Sequence, residues 1–344
     1  MKRLFIILIS VLSLCACGSG IKTKPKNEKS GGVLHLAIYD VTFDEYIFPP
    51  TIHNELEKSL ASVFYTGLFR YNPFSLEVEN ALCKTWEVDN TGAVYIFNLD
   101  STAMFHRDEC FGRKETRHVT AYDVKYTYHL LANPKYSTFA FTNTVYHIKG
   151  AKDYFSLPDS LRDTSRIEGI QVLNDYALKI TLDKPSPSFI HNLAHPSAAI
   201  LPFEAVEKYG DESTIGVGPF TYEADSAQFR FIKNDLYNKF DANRVRLPYL
   251  DSVTITRVDS IAQTVDLFVE GKIDAMLMVP SIRIKDILKR IPEDFSYEIS
   301  ESNIVNLKGN FVRYNIVRSY VKDLYTNKMN ILDFERTYID KRLK

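Results

Sequence analysis

The side chains of this chain that could make or break bonds are few and poorly grouped. His191 and His195 stand four apart, the spacing that places two imidazoles on one helical face and suits a metal ion. Asn192 follows His191 where a metalloprotease motif would carry Glu, and Pro196 ends any helix there. His106 and His118 flank Cys110, so a zinc site would need one more ligand, and there is no C-x-x-C pair. Gly216-Val217-Gly218 holds no nucleophile and reads as a tight strand turn, not as a G-x-S-x-G elbow. Neither a Walker loop nor G-x-G-x-x-G occurs. The carboxylates are scattered, which gives glycoside hydrolysis no support. The expectation is a protein that is not an enzyme, with no catalytic residues, no cofactor and no metal.

The totals describe a globular chain. Its 344 residues are 45% hydrophobic and 25% charged, with a net charge of −1. That is enough for one large domain or two ordinary ones, and it offers no basic surface to a nucleic acid. Residues 1–17 read as a targeting segment: Lys2-Arg3, then an apolar run over 4–14. The run is too short to span a bilayer, which takes roughly 20 residues. Leu14-Cys15-Ala16-Cys17 resembles the bacterial lipobox, in which a Cys after a small residue is diacylated. Cys17, after Ala16, fits better than Cys15, after bulky Leu14; an ordinary cleaved signal peptide is the alternative. The expectation is an exported lipoprotein of the cell envelope or periplasm, held on the lipid bilayer through Cys17. Residues 18–32 are small, polar and lysine-bearing, a flexible linker. Export permits a disulfide between Cys83 and Cys110; a buried thiol and a loop thiol are the other reading.

Folded structure is predicted from Val33, where apolar residues alternate. Residues 54–66 have helical spacing, with Gly67 as the residue after the helix. The informative stretch is 81–128. Residues 85–88 and 94–99 alternate around Asp89-Asn90-Thr91-Gly92, a hairpin. Thr120 and Asp123 have capping-box spacing, opening a helix over 121–131 that Asn133-Pro134 ends. A second hairpin is predicted over 170–182, a short helix over 203–209, paired strands around Phe220/Tyr222 and Phe229/Phe231, and a strand over 253–258. Ser260 and Gln263 form another capping box, before a helix ending at Gly271. Residues 285–291 suit an amphipathic helix, and 311–344 read as helical and charged.

In order along the chain stand Ala81-Leu82, Trp86, Asp89 with Gly92, the aromatic strand 95–99, Phe105-His106, Thr120-Ala121-Tyr122-Asp123-Val124 and Tyr126. Gly67-Leu68 with Tyr71, Ile148-Lys149-Gly150-Ala151 with Tyr154, Gly216-Val217-Gly218-Pro219-Phe220, Lys233-Asn234 with Tyr237, and Gly271-Lys272-Ile273-Asp274 extend the pattern. Together these resemble the dipeptide/oligopeptide-type extracellular solute-binding proteins (family 5) of ABC importers, with Thr66 and Val217 departing from it.

The resemblance covers 33 to about 280. It implies an α/β fold: a periplasmic-binding-protein-like first lobe (class II, peptide type) with a mixed sheet and an extra subdomain at about 50–165. The second lobe is expected to be largely missing, leaving residues 281–344 as a partial, mostly helical remnant at a C-terminal truncation. It implies a peptide or other small solute as ligand and ABC permease subunits as partners. Two lobes on hinges would close over the ligand. On this sequence its first-lobe walls are Asp40, Val41, Thr42 and Phe43, and the stretch from Tyr136 that holds Phe139 and Phe141. Asp40 would pair a peptide amino group, and the two Phe rings would wall a pocket. The alternative is a shortened, non-transport paralogue acting as a structural or partner-binding lipoprotein.

Overall fold

The computed structural model describes residues 29–39, 46–52, 54–136, 140–162, 166–225, 228–306, 309–326 and 332–344. Strand β1 (Val33–Tyr39) lies inside a seven-stranded sheet, which also holds β8 (Phe220–Asp225), β9 (Gln228–Lys233), β10 (Ser252–Val258), β11 (Ala275–Pro280), β12 (Tyr297–Asn306) and β13 (Gly309–Arg318). The order is β12-β13-β11-β1-β10-β9-β8, with β1 parallel to both β10 and β11 and the remaining pairs antiparallel. Alternation along β1 sends Leu34 and Leu36 to one face and Ala37 to the other. The first face packs on α1 (Glu55–Phe64) through Leu60, Val63 and Phe64. The opposite face packs on α7 (Ile261–Val269) through Val265 and Phe268.

Local chemistry explains the helix ends. Asn54 caps α1 by accepting from the Glu57 amide at 2.9 Å. Gly67 does not end that helix: the chain leaves it at Tyr65, which is already extended. Gly67 is small because a Cβ there would lie 3.1 Å from the carbonyl oxygen of Phe69 and 3.2 Å from that of Leu193. Ser260 caps α7 as its spacing predicts, accepting from the Gln263 amide at 3.1 Å, while Gln263 reaches back to the amide of Asp259.

A second body is built on the antiparallel sheet β4-β5-β7-β6, with β4 (Cys83–Val88), β5 (Val94–Leu99), β6 (Ile170–Asn174) and β7 (Ala177–Thr181). The first hairpin turns as predicted: the Gly92 amide donates to the Asp89 carbonyl, and the Asp89 carboxylate accepts from the amides of Ala93 and Val94. Helix α2 (Ala121–Leu131) carries the full capping box and buries Val124, Tyr128 and Leu131 in one core with Phe97, Leu178 and Ile180. The body therefore extends beyond the expected 50–165, because β6 and β7, later in the chain, complete its sheet. A short hairpin of β2 (Phe69–Tyr71) and β3 (Val78–Asn80) precedes it. The shorter helices are α3 (Ala151–Phe155), α4 (Asp159–Arg162), α5 (Phe189–Leu193), α6 (Phe203–Tyr209) and α8 (Ile284–Leu288).

The C-terminal quarter corrects the expected helical remnant. After α8 the described elements are strands. β12 and β13 form a long hairpin whose inner strand pairs with β11 and so widens the main sheet. Residues 313–318 alternate across that sheet, Ile316 entering one core and Val317 packing against the other, a period of two that their charges disguise. The chain then forms β14 (Val321–Lys322), β15 (Tyr325–Thr326), β16 (Leu332–Asp333) and β17 (Tyr338–Ile339), paired β14 with β17 and β15 with β16. Phe334 and Ile339 sit in the same core as Leu34 and Leu36. These residues thus pack into the same sheet and core as β1 and α1.

Candidate functional site

The helices that follow β1 and β10 lie on opposite faces of the sheet, so the strand order reverses between two parallel strands. In open α/β sheets such a point leaves a crevice beyond the carboxyl ends of the strands, where ligands collect. Here those ends are Tyr39 and Val258. Asp40, Val41, Thr42 and Phe43 follow Tyr39 directly and, with Phe139 and Cys17, lie outside the described residues. Beyond that loop Phe48 is buried, and its ring lies 5.7 Å from that of Tyr136, just past α2. Tyr136, the first residue of the second expected wall stretch, thus packs on Phe48.

Tyr136 borders a cavity of about 490 Å³ whose floor is the outer face of α2. Tyr122, Lys125, Tyr126 and His129 recur there at helical spacing, while the intervening residues face the core. Three contacts bring the other walls in. Arg117 holds Asp123 at 2.7 and 2.8 Å and Glu204 at 2.6 and 2.7 Å, tying the start of α6 to the start of α2. This sets Phe203 edge-on to Tyr126 at 5.3 Å. The amide of Ile167 donates to His129 Nε2 at 3.1 Å, which places Arg166 on the cavity, and Tyr154 of α3 stands edge-on to His129 at 5.1 Å.

Because His129 Nε2 accepts that bond, Nδ1 carries the proton and donates to the Lys125 carbonyl at 2.7 Å. The neutral ring is favoured: burial first, then the charges of Lys125 and Arg166, hold its pKa down at about 4. Burial likewise pushes the Tyr126 phenol up, with smaller help from Tyr136 and Glu207. Arg162 of α4 also borders the cavity. It pairs with Asp159 and the Leu157 carbonyl, while its Nε is buried without a hydrogen-bond partner. Among the described lining residues there are three cations and no carboxylate.

Two other hollows differ. One of about 360 Å³ beside His106 mixes Arg107 and Lys233 with Asp108, Glu223 and Asp235. Another, of about 80 Å³, lies where the C-terminal segment meets β2, and Arg70, His195, Asp333 and Glu335 border it.

Phe141 faces the core: its ring stacks on Phe155 at 4.1 Å and meets Tyr146 edge-on at 5.7 Å. Cys83 and Cys110 are free thiols, each pushed up to about 12, chiefly by burial. His106 is buried between Gly216 and Gly218, accepting from the Gly216 amide at 3.3 Å and donating to the Gly218 carbonyl at 3.1 Å. His195 Nδ1 lies 2.8 Å from the Ser197 hydroxyl. Among the described residues, no group of three or more His, Cys, Asp or Glu is placed to hold a metal ion, and no helix is long and apolar enough to cross a membrane. Sequence reasoning passed over the α2 stripe, although its i, i+3, i+4, i+7 spacing was visible; Arg162, Arg166 and Phe203 left no local signal.

Comparison with known proteins agrees with this architecture. The model for bacterial extracellular solute-binding proteins, family 5, matches residues 77–318. A glutathione-binding protein of Pectobacterium atrosepticum is 25% identical over 214 residues, 60% of this chain and 34% of that one. Di/tripeptide-binding protein 2 of Pseudomonas aeruginosa is 29% identical over 189 residues, 52% of this chain and 34% of that one. The substrate-binding domain of an oligopeptide ABC transporter from Bacillus anthracis superposes with a TM-score of 0.63 at 20% identity, covering 80% of this chain and 50% of that one. The Helicobacter pylori periplasmic binding protein DppA, solved with the peptide STSA, gives a TM-score of 0.59 at 20% identity over 80% of this chain and 51% of that one. The matched region spans about a third of the curated relatives and about half of the solved chains.

Proposed function

Since the chain belongs to the family 5 bacterial extracellular solute-binding proteins, we propose that it captures a peptide, or a solute of similar size, without altering it and presents it to the permease of an ABC importer. The observation that carries this reading is the aromatic cavity of about 490 Å³ on α2, bordered by Tyr136, whose ring packs on the buried Phe48. Pockets of this size, with aromatic walls and a few polar groups, are the usual seats of small ligands. The names of the relatives, which bind glutathione, dipeptides and tripeptides, point the same way. In this reading Asp40 pairs the ligand's amino group, Val41, Thr42, Phe43 and Phe139 line the crevice, and Phe141 backs it from the core. Acylated Cys17 and the polar linker hold the body at the membrane surface, outside the cytoplasm.

Calorimetry of the full-length chain against a mixed peptide library tests the reading. Binding releases or absorbs heat and raises the melting temperature; at a hundredfold excess over Kd the gain is about 2.7 kcal/mol. Absence of both heat and thermal shift overturns it. The anchor is tested separately, by labelling cells with a fatty-acid probe: a labelled band that a Cys17→Ser variant loses is expected, and an unlabelled protein removes the tether.

A further inference from the structure

We propose that the α2 cavity selects its ligand by charge, taking an acidic small solute, one carboxylate on an aromatic or apolar body, with Lys125 as the residue that decides. The inference rests on the solute-binding reading above and narrows its ligand class.

The argument begins with what the cavity contains. Lys125, Arg162 and Arg166 border it, and no Asp or Glu does among the described residues. The neighbouring carboxylates are elsewhere: Asp159 is spent on Arg162 from the solvent side, and Glu207 acts on Tyr126 without lining the space. Lys125 stands in the middle of the α2 stripe, a turn from both Tyr122 and His129, and makes no ion pair with any described residue. The charges of Lys125 and Arg166 reach into the cavity, since both oppose protonation of His129. His129 itself is held neutral chiefly by burial, with Nε2 accepting from the Ile167 amide, so it adds ring surface and no charge. The rings of Tyr126, Tyr136, Tyr154 and Phe203 complete walls against which a flat or apolar body packs. A carboxylate there gains a charge-assisted bond from Lys125 in a partly dry space, whereas an ammonium meets the like charge of Lys125.

The test compares three dipeptides, Phe-Glu, Phe-Gln and Phe-Lys, by calorimetry on the full-length chain at low salt. Phe-Glu is expected to bind at least about tenfold more tightly than Phe-Lys, a gap that narrows in high salt as exposed charges are screened. Lys125→Glu should erase or invert the order while the melting temperature stays near that of the parent, because the position is a half-exposed helix face. Equal affinities for the three dipeptides overturn the charge selection and leave solute binding intact. An unchanged order in Lys125→Glu places selection outside this cavity and also overturns the proposal. If the peptide library binds and none of the three dipeptides does, this ligand class is wrong. If nothing binds at all, the solute-binding reading falls, and this proposal falls with it.

Discussion

Lys125 in the α2 cavity and Arg70 at the junction where the C-terminal segment returns are treated in opposite ways. At the junction Arg70 is gripped by Glu79 at 2.6 Å and Glu335 at 2.5 Å, and the Tyr237 hydroxyl donates to Glu335 at 3.0 Å. Glu335 is buried there beside Phe334. The cation of that hollow is answered by carboxylates of the chain itself, one of them from the returning segment. On α2, Lys125 meets none, and the rings around it leave some 490 Å³ open. A cation answered from within the chain supports the fold; one left facing an open, aromatic space is free to meet something that comes from outside.

This contrast can be broken at three points. The largest effect is expected from Phe334→Ala, which empties a core position and should cost about 3–5 kcal/mol in denaturant unfolding. A loss below about 1 kcal/mol would mean that the returning segment is an appendage, not part of the lobe. Acid comes next. His195 at the junction and His129 in the cavity both have pKa values held at about 4, chiefly by burial, against an ordinary 6.5. The unfolded chain therefore binds protons first on acidification. Their contribution to stability is complete above pH 6.5 and drains away as the pH falls to about 4. The melting temperature should drop across that window, less steeply in His195→Gln. An acidic ligand should raise the pKa of His129 and leave that of His195 unmoved, which an NMR titration of the two rings would read; equal movement would merge the two regions. The smallest effect is on stability in Lys125→Gln, within about 0.5 kcal/mol by thermal unfolding. A larger loss would make Lys125 structural and undo the comparison.

Much of the second body was legible because its signals are local. Asp89 to Gly92 makes its own turn, and Thr120 with Asp123 makes its own cap, within a few residues each. The strands and helices of residues 83–131 accordingly fall where spacing predicts. The C-terminal quarter was misread for the converse reason. Arg313, Asn315 and Arg318 make the stretch look like a solvated helix, and only pairing with β11 and β12 shows which of their neighbours are buried. The site shows the same division. The stripe on α2 is a matter of helical period, but Phe203 is brought to it by the Arg117–Glu204 pair, distant in the chain, and Arg166 by the bond from Ile167 to His129.

By itself the sequence determined the caps, the turns, the alternation of β1 and the family motifs, because these depend on contacts between residues close in the chain. The tertiary structure alone decided that β1 lies between two parallel strands with helices on opposite faces. It also decided that the final residues fold back into the first core, and that three cations border one cavity with no carboxylate among its described lining residues. Those outcomes depend on which distant segments share a space, and burial and charge balance are settled only where such segments meet.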